Sequence, residues 1–186
     1  LSIRRQRQMC IRDRAMAFGS QETIHSVAYS YLNETLGLDD FAGFLHDEVM
    51  KERFELLTNT TADWTPKDLD TNHKARVEVA RSLAIFSAFA EGVALYSSFA
   101  VLYSFQMRNL LKGIGQQMKW SVRDESLHSK MGVQLFRHMC EEFPELLEEA
   151  KADIYKAAEI IRDLEHKFID TVSYTHLRAH ETEADL

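Results

Sequence analysis

The sequence predicts an all-α helical bundle, and three observations indicate it. The 186-residue chain contains only seven Gly and two Pro, so residues that interrupt helices are rare. Ala, Leu, Glu and Lys, which favour helices, are plentiful. Apolar residues in the body of the chain recur at the spacing of a helix face. A turn-rich β-sandwich or barrel is therefore not expected.

Composition and charge narrow the class of protein. The chain is 45% hydrophobic and 27% charged, as a globular domain is, and its length suits a single domain. Cys10 and Cys140 are too few for a disulfide framework, so a reducing, cytoplasmic compartment is expected. The net charge of −7 weighs against nucleic acid or an anionic membrane as the main partner.

The two ends of the chain lack the apolar periodicity of the segment between them. Residues 1–14 carry five Arg, which suits a basic arm that binds nucleic acid or membranes, or a disordered end. The strings RRQRQMCIRDR and VSYTHLRAHETE also resemble translated sequencing-adaptor read-through. We predict that 1–14 and 171–186 are non-native or disordered, and that the domain spans 15–170.

The first two predicted helices are separated by a glycine. The first runs from about Ala15 to Leu36, and Gly37 ends it. Asp39 and Asp40 begin the second, which is amphipathic. Its apolar face carries Phe41, Phe44, Leu45, Val49, Phe54 and Leu57.

A long apolar helix is predicted after a loop at 59–70. Thr71 caps it, and it continues to about Leu111. Between 82 and 107 its only charged residue is Glu91. A membrane span is the alternative for so apolar a run, but this run contains five serines and has no second counterpart. A central helix of the bundle is the preferred interpretation.

Two more helices complete the prediction. Gly113 and Gly115 break the long helix, and the next helix covers about 116–142. Pro144 opens the last helix, whose first turn is acidic, as the helix dipole favours. The core-facing stripe of the 116–142 helix holds Met118, Val122, Glu125, His128, Gly132, Leu135 and Met139.

Three carboxylates lie at positions where the sequence predicts buried apolar side chains. Glu22 is the only charged residue from 15 to 33, Glu91 is alone in its helix core, and Glu125 lies on the apolar stripe. A buried carboxylate without a partner costs several kcal/mol or becomes protonated. Each of the three therefore needs a hydrogen-bonding partner or a cation.

Two Glu-x-x-His matches, Glu22–His25 and Glu125–His128, place both side chains of each pair on one helix face. The spacing alone is weak evidence, and each residue taken singly suits a hydrogen-bonded structural role. Taken together, three carboxylates and two histidines on three helices form the pattern of di-iron and di-manganese carboxylate bundles. Carboxylate and imidazole suit iron and manganese, and the absence of Cys argues against structural zinc.

The sequence resembles the small, radical-generating subunit of class I ribonucleotide reductase. The matching strings are QETIHSVAYSYLNETLG at 21–37, AEGVALYSSFA at 90–100 and VRDESLHSKMGVQLFR at 122–137. Their order and spacing match as well, and the resemblance covers nearly all of 15–170. It implies a ferritin-like helical bundle.

The resemblance also implies a set of metal ligands. Glu22 and His25 would bind one ion, Glu91 and His128 the other, and Glu125 would bridge them together with Glu22. Two iron ions are the expected cofactor, with Mn/Fe or Mn/Mn as alternatives.

Tyr29 occupies the position of the family's stable tyrosyl radical. Helix geometry supports it, since Tyr29 follows His25 by four residues on the same face; a plain core tyrosine is the alternative. Leu95 and Phe99 match the apolar wall that shields such a radical, although they would look the same as ordinary core. Asp124 matches the residue that hydrogen-bonds His25 and begins an electron path to the surface.

The parent protein would use ferrous iron (or manganese) and dioxygen to oxidise Tyr29 and pass the radical to a cysteine of a large catalytic subunit. That subunit reduces ribonucleoside diphosphates, and relatives are homodimers. A sixth ligand, the Trp of the electron path and the C-terminal tail of the family are not found. Trp64 and Trp120 are assigned to packing. We therefore expect a fragment with five of six ligands, whose activity on its own is doubtful.

Two other functions remain open. One is another ferritin-like di-metal oxidase or an iron-storage bundle, which needs neither a shielded tyrosine nor a path outward. The other is a metal-free structural bundle in which the Glu and His side chains pair internally.

Overall fold

The structure, a computed structural model, describes residues 2–38, 41–59 and 66–173, and these ranges contain helices and no strands. The all-α prediction is confirmed. The elements are α1 (Ser2–Leu36), a 3₁₀ segment (Phe41–His46), α2 (Glu48–Asn59), α3 (Pro66–Thr71), α4 (His73–Ile85), a π-helical segment (Phe86–Ala94), α5 (Leu95–Met107), α6 (Lys112–Glu142) and α7 (Glu145–Val172).

Helix α1 begins at Ser2 rather than at about Ala15, and it ends at Leu36 as predicted. Gly37 adopts a left-handed conformation with a φ of 68°, which suits glycine. Its amide donates to the carbonyl of Glu34, and the amide of Leu38 donates to that of Asn33. This pair of hydrogen bonds is a Schellman motif, so Gly37 ends the helix by satisfying its last carbonyls.

The predicted second helix is divided into the 3₁₀ segment and α2. Asp47 lies between them, and its side chain accepts a hydrogen bond from the amide of Met50 at 3.0 Å. This contact begins α2. Asp39 and Asp40, which were predicted to begin the helix, lie outside the described residues.

Helix α4, the π-helical segment and α5 form one uninterrupted helix, His73–Met107. Asn72 caps it rather than Thr71: its backbone is extended and its side chain accepts from the amide of Ala75. By length and composition this helix could cross a membrane, but a buried core helix passes the same test. It packs against α6 and α7 in the described part of the chain.

The predicted break at Gly113 and Gly115 is wrong, since both lie inside α6. The chain turns earlier, where Asn109 and Leu111 have φ values of 65° and 46°. Asn tolerates this left-handed conformation better than most residues. Gly115 serves packing, because a Cβ there would overlap the side chain of Gln106.

Helix α6 is the centre of the bundle. It packs against α5, the π-helical segment, α4 and α1, while α7 packs on α4 and α2. Two glycines allow the close approach of α6 and the π-helical segment: a Cβ on Gly132 would overlap Ser87 Oγ, and one on Gly92 would lie 3.1 Å from Ser129 Oγ. This close packing brings the carboxylate of the π-helical segment against α6.

Candidate metal centre

Three elements bring the predicted ligands together. Helix α1 supplies Glu22 and His25, the π-helical segment supplies Glu91, and α6 supplies Glu125 and His128. One ligand atom from each of Glu22, Glu91, Glu125 and His128 lies within 4.8 Å of the others. A π-helical segment is frequent at functional sites, since its extra residue re-aims the side chains.

His128 is completely buried, and its Nδ1 atom faces three carboxylates. Nδ1 lies 3.0 Å from Glu22 Oε1, 3.4 Å from Glu125 Oε2 and 3.8 Å from Glu91 Oε1. Among the residues that the structure describes, neither this nitrogen nor Glu91 Oε2 has a hydrogen-bond partner. Unpartnered buried donors and acceptors are rare in proteins, so these two atoms fit a bound cation.

His25 faces the other side of the same cluster. Its Nδ1 atom lies 3.2 Å from Glu125 Oε1 and 4.0 Å from Glu22 Oε1, and its ring centre is 5.9 Å from that of His128. Glu22 and Glu125 therefore lie near both imidazoles, whereas Glu91 lies near His128. Glu22 and Glu125 are thus the carboxylates that both imidazoles approach.

The acidic groups are held in an environment that penalises their charge. Glu91 is 2% exposed and Glu125 is 5% exposed. Burial, with smaller contributions from Glu125 and Glu22, raises the pKa of Glu91 from 4.5 to about 8. Burial also raises the pKa of Glu125 to about 7, although His25 opposes the change.

In the described ranges, the groups within ion-pair distance of Glu22, Glu91 and Glu125 are histidines, with no Lys or Arg among them. Burial lowers the pKa of His128, which favours its neutral form. Carboxylate oxygens and neutral imidazole nitrogens without Cys are the donor set of iron and manganese. The cluster could therefore hold a metal ion.

The side chain of Glu22 is more exposed than predicted. Its side chain is 46% exposed, because α1 packs chiefly against α6 and leaves its opposite face open. Its Oε1 atom nevertheless points inward to both histidines. The prediction that all three carboxylates are buried is wrong for this residue.

Tyr29 lies on the same side of α1 as His25, with ring centres 6.4 Å apart in an edge-on arrangement. Its hydroxyl donates to Ser121 Oγ at 2.8 Å. The ring packs with Leu95 on a buried cluster that contains Phe99. Burial raises the pKa of Tyr29, while the hydrogen bond that it donates to Ser121 lowers this pKa and the charge of Glu125 raises it.

Asp124 lies at the border between the site and the surface. Its Oδ2 atom is 3.2 Å from His25 Nε2, and its side chain is partly exposed. The His25 ring can donate its Nε2–H to this carboxylate and keep Nδ1 free for the cluster. This is the contact that the resemblance implies.

Three contacts of the site were not predicted. Ser121 accepts from Tyr29, Gln21 contacts His128, and the Phe18 ring lies 3.9 Å from the His128 ring centre. Ser121 precedes Glu125 by one helical turn, which was an available signal. The sequence carried no comparable signal for Gln21 and Phe18, because their contacts depend on how α1 docks on α6.

The packing role predicted for Trp120 is wrong, because this side chain is 62% exposed. It lines an open surface groove with Asp124 and Leu127. Trp64 lies outside the described residues. His73 and His166, which each follow an Asp by three residues, are exposed.

Comparisons with known proteins indicate one family. The family model "Ribonucleotide reductase, small chain" matches residues 8–185, a range that extends into both end segments. A probable ribonucleoside-diphosphate reductase small subunit, 376L of Invertebrate iridescent virus 6, is 34% identical over an alignment of 176 positions that covers 83% of this chain and 46% of that protein.

Two further relatives have similar coverage. The probable small subunit 048L of Invertebrate iridescent virus 3 is 34% identical over an alignment of 170 positions that covers 86% of this chain and 45% of that protein. The ribonucleoside-diphosphate reductase subunit beta of Chlamydia pneumoniae is 28% identical over an alignment of 149 positions that covers 75% of this chain and 43% of that protein. The chain thus spans less than half the length of these relatives.

Proposed function

Because the chain belongs to the ribonucleotide reductase small-chain family, we propose that its carboxylate–histidine site holds two metal ions and generates a radical on Tyr29. The family folds as a ferritin-like bundle, and the all-α structure agrees with that fold. The parent protein is a small subunit of a ribonucleoside-diphosphate reductase.

Each ion has its own histidine in this proposal. Glu22 and His25 hold one ion, Glu91 and His128 hold the other, and Glu125 and Glu22 are shared. The distances support the division, since Glu125 Oε1 faces His25 and Glu125 Oε2 faces His128. Two iron ions are the proposed cofactor, with Mn/Fe or Mn/Mn as alternatives.

Bound iron would supply, with dioxygen, the one-electron oxidation of Tyr29 that no side chain can supply. The residues around Tyr29 prepare it for that role. Ser121 fixes the direction of its hydroxyl, and Leu95 and Phe99, which lie in the same apolar cluster as the half-buried ring, would shield a radical there from water and reductants.

Asp124 orients His25 and links it to the surface. Because a carboxylate can only accept, the hydrogen bond at 3.2 Å places the His25 proton on Nε2. The unprotonated Nδ1 then faces the cluster. We assign Asp124 the first position of an electron path between the site and the protein surface.

The partner in this proposal is the large catalytic subunit of the reductase. The radical passes from Tyr29 to a cysteine of that subunit, which reduces ribonucleoside diphosphates for deoxyribonucleotide synthesis. The substrate does not touch this chain. The parent protein would be a cytoplasmic homodimer. Support comes from the family and from the relatives named as reductase small subunits.

One observation carries the proposal: the buried Glu91 and Glu125 converge with His128, and no Lys or Arg of the described residues offsets them. A metal-free bundle would pair these groups internally, yet Glu91 Oε2 and His128 Nδ1 stay without hydrogen bonds there. An iron-storage bundle would need neither the covered Tyr29 nor its bond to Ser121.

The test loads the full-length parent protein with Fe(II) under anaerobic conditions, admits oxygen and records EPR spectra. We expect a sharp tyrosyl radical signal that Tyr29→Phe abolishes. Tyr96→Phe is the matched control, because Tyr96 lies on α5 and bonds to Ser126 instead. The same signal in Tyr29→Phe would refute the radical role. Iron binding without any radical would favour storage, and no iron binding would favour the metal-free bundle.

A further inference from the structure

Gln21 joins the two histidines of the site through one chain of hydrogen bonds. Its Oε1 atom lies 2.8 Å from His128 Nε2, and its Nε2 atom lies 3.4 Å from Asp124 Oδ1. The other oxygen of Asp124 lies 3.2 Å from His25 Nε2. The chain of contacts therefore runs from His25 through Asp124 and Gln21 to His128.

The chemistry of these groups fixes the direction of every bond. Asp124 can only accept, so it receives Nε2–H from His25 and an amide N–H from Gln21. The Gln21 oxygen then faces His128 and must accept its Nε2–H. A flipped amide would place its oxygen against the Asp124 carboxylate, where neither group can donate, and the bond to Asp124 would be lost.

We propose that Gln21 is a positioning residue that holds His128 as the Nε2–H tautomer and couples it to His25. With the proton on Nε2, the lone pair of Nδ1 points at Glu22, Glu125 and Glu91. The amide thus does for His128 what Asp124 does for His25. This inference rests on the proposed metal centre and adds a residue to it.

The surroundings of His128 explain why one amide can have this effect. The ring is completely buried, and Phe18 covers it at 3.9 Å between ring centres. Gln21 is the one hydrogen-bond partner of Nε2 among the described residues. Without Gln21, the ring proton can move to Nδ1. There it would form a hydrogen bond to one of the nearby carboxylates and prevent a metal ion from binding this nitrogen.

The first measurement is the tautomer of His128 in the metal-free chain. Long-range ¹H–¹⁵N spectra of histidine-labelled protein distinguish the two tautomers at about pH 8, above the ordinary His pKa of about 6.5. The His128 signals are identified by their loss in His128→Gln. We expect the Nε2–H form in the wild type and a mixture in Gln21→Met, which keeps the length of the side chain. Gln134→Met should leave the tautomer unchanged, because this exposed residue of α6 accepts a hydrogen bond from Arg14 of α1 at 3.2 Å and has none with His128.

Gln21→Glu separates the tautomer effect from the mere docking of α1. A carboxylate at 21 can still accept from His128 Nε2 but repels Asp124. We expect it to restore the Nε2–H form even though the contact between α1 and α6 is weakened. A mixture in Gln21→Met together with a mixture in Gln21→Glu would indicate a docking role and overturn the proposal.

The second measurement is Mn(II) affinity, determined from the EPR signal of the free ion. Loss of a group that orients a metal-bound His typically weakens binding about 10- to 100-fold, and we expect a loss of this size in Gln21→Met. Gln134→Met should bind as the wild type does. Unchanged tautomer and affinity in Gln21→Met would overturn this inference and leave the metal centre intact. A wild-type chain that binds no Mn(II) would instead refute the metal centre. The tautomer of His128 would still test the positioning role of Gln21.

Discussion

At the scale of single residues, Glu91 carries the largest electrostatic cost in the site. It is almost completely buried, one of its oxygens has no hydrogen-bond partner in the described part of the chain, and its pKa is raised to about 8. In the absence of metal, this residue therefore keeps its proton near neutral pH. A metal ion would displace that proton, so binding is expected to strengthen as the pH rises.

The raised pKa of Glu91 predicts a pH-dependent stability. Between about pH 4.5 and pH 8 the native metal-free chain binds more protons at Glu91 than the unfolded chain does. Its free energy of unfolding should therefore fall as the pH rises through this window, by a few kcal/mol at most. Glu91→Gln removes this contribution. In urea unfolding, the free energy of unfolding of the variant should therefore rise relative to that of the wild type from about pH 5 to pH 8.

Glu159→Gln is the control for that comparison, because Glu159 is exposed on α7. Its stability relative to the wild type should not change with pH. A difference between Glu91→Gln and the wild type that stays constant over the window would mean that Glu91 titrates normally.

At the scale of elements, the π-helical segment and α6 are in contact through small residues. Gly132→Ala would force its new methyl group into Ser87 Oγ and separate the two elements. Overpacking of this kind costs about 1–3 kcal/mol, and it should also weaken Mn(II) binding, since Glu91 and His128 lie on either side of the contact. Urea unfolding and Mn(II) titration measure the two effects.

Two companion variants make the Gly132 result specific. The double variant Ser87→Gly/Gly132→Ala should recover much of the lost stability and of the lost Mn(II) affinity, because Ser87→Gly removes the overlapping oxygen. Gly113→Ala also lies in α6, has open space around it and should be neutral or slightly stabilising. Full stability and binding in Gly132→Ala alone would contradict the close contact.

A buried ion pair joins α2 to α7 beside the π-helical segment. Arg53 donates to both oxygens of Glu165 and to the carbonyl of Ala94, and Ser97 donates to the same carboxylate. The Arg53 guanidinium also lies 4.0 Å above the Phe168 ring. These contacts tie the C-terminal end of the π-helical segment to two other helices.

Arg53→Met should destabilise the chain by about 3–5 kcal/mol, because it leaves the carboxylate of Glu165 buried without a cation. Arg81→Met removes the more exposed partner of Asp153 and should cost at most about 1 kcal/mol. Urea unfolding compares the two variants. Equal losses would show that burial adds nothing to the Arg53–Glu165 pair.

Some helix boundaries could be predicted from the sequence and others could not. The end of α1 was predictable, because Gly37 takes a conformation that glycine favours locally. The break before α6 was not, since Gly113 and Gly115 are helical and the turn falls at Asn109 and Leu111. A glycine that serves packing and one that serves a turn look the same in a sequence.

Some features of the candidate site could likewise be predicted from the sequence and others could not. The convergence of its proposed ligands could be predicted from spacing within one helix, as in Glu22–His25, and from the resemblance to a known family. Gln21 and the Arg53–Glu165 pair could not, because these contacts join distant helices. The exposure of Glu22 also depends on what covers α1, which the local sequence does not encode.

At the scale of the whole molecule, the site lies where α1 meets the rest of the bundle. Helix α1 packs chiefly on α6, and the cluster between them gathers acidic side chains from three elements. In a chain of net charge −7, such a cluster opposes folding unless cations bind it. Metal ions would therefore act as cross-links between α1 and the bundle, as well as reactive groups.

The most direct test of this account counts the ferrous ions bound per chain of the full-length parent protein after anaerobic equilibrium dialysis. The matched variants are Glu125→Gln, which changes the proposed shared ligand, and Glu159→Gln, which changes an exposed carboxylate. We expect two ions per chain in the wild type and in Glu159→Gln, and at most one in Glu125→Gln. A wild-type chain without bound iron, or a Glu125→Gln chain that still binds two ions, would contradict the account.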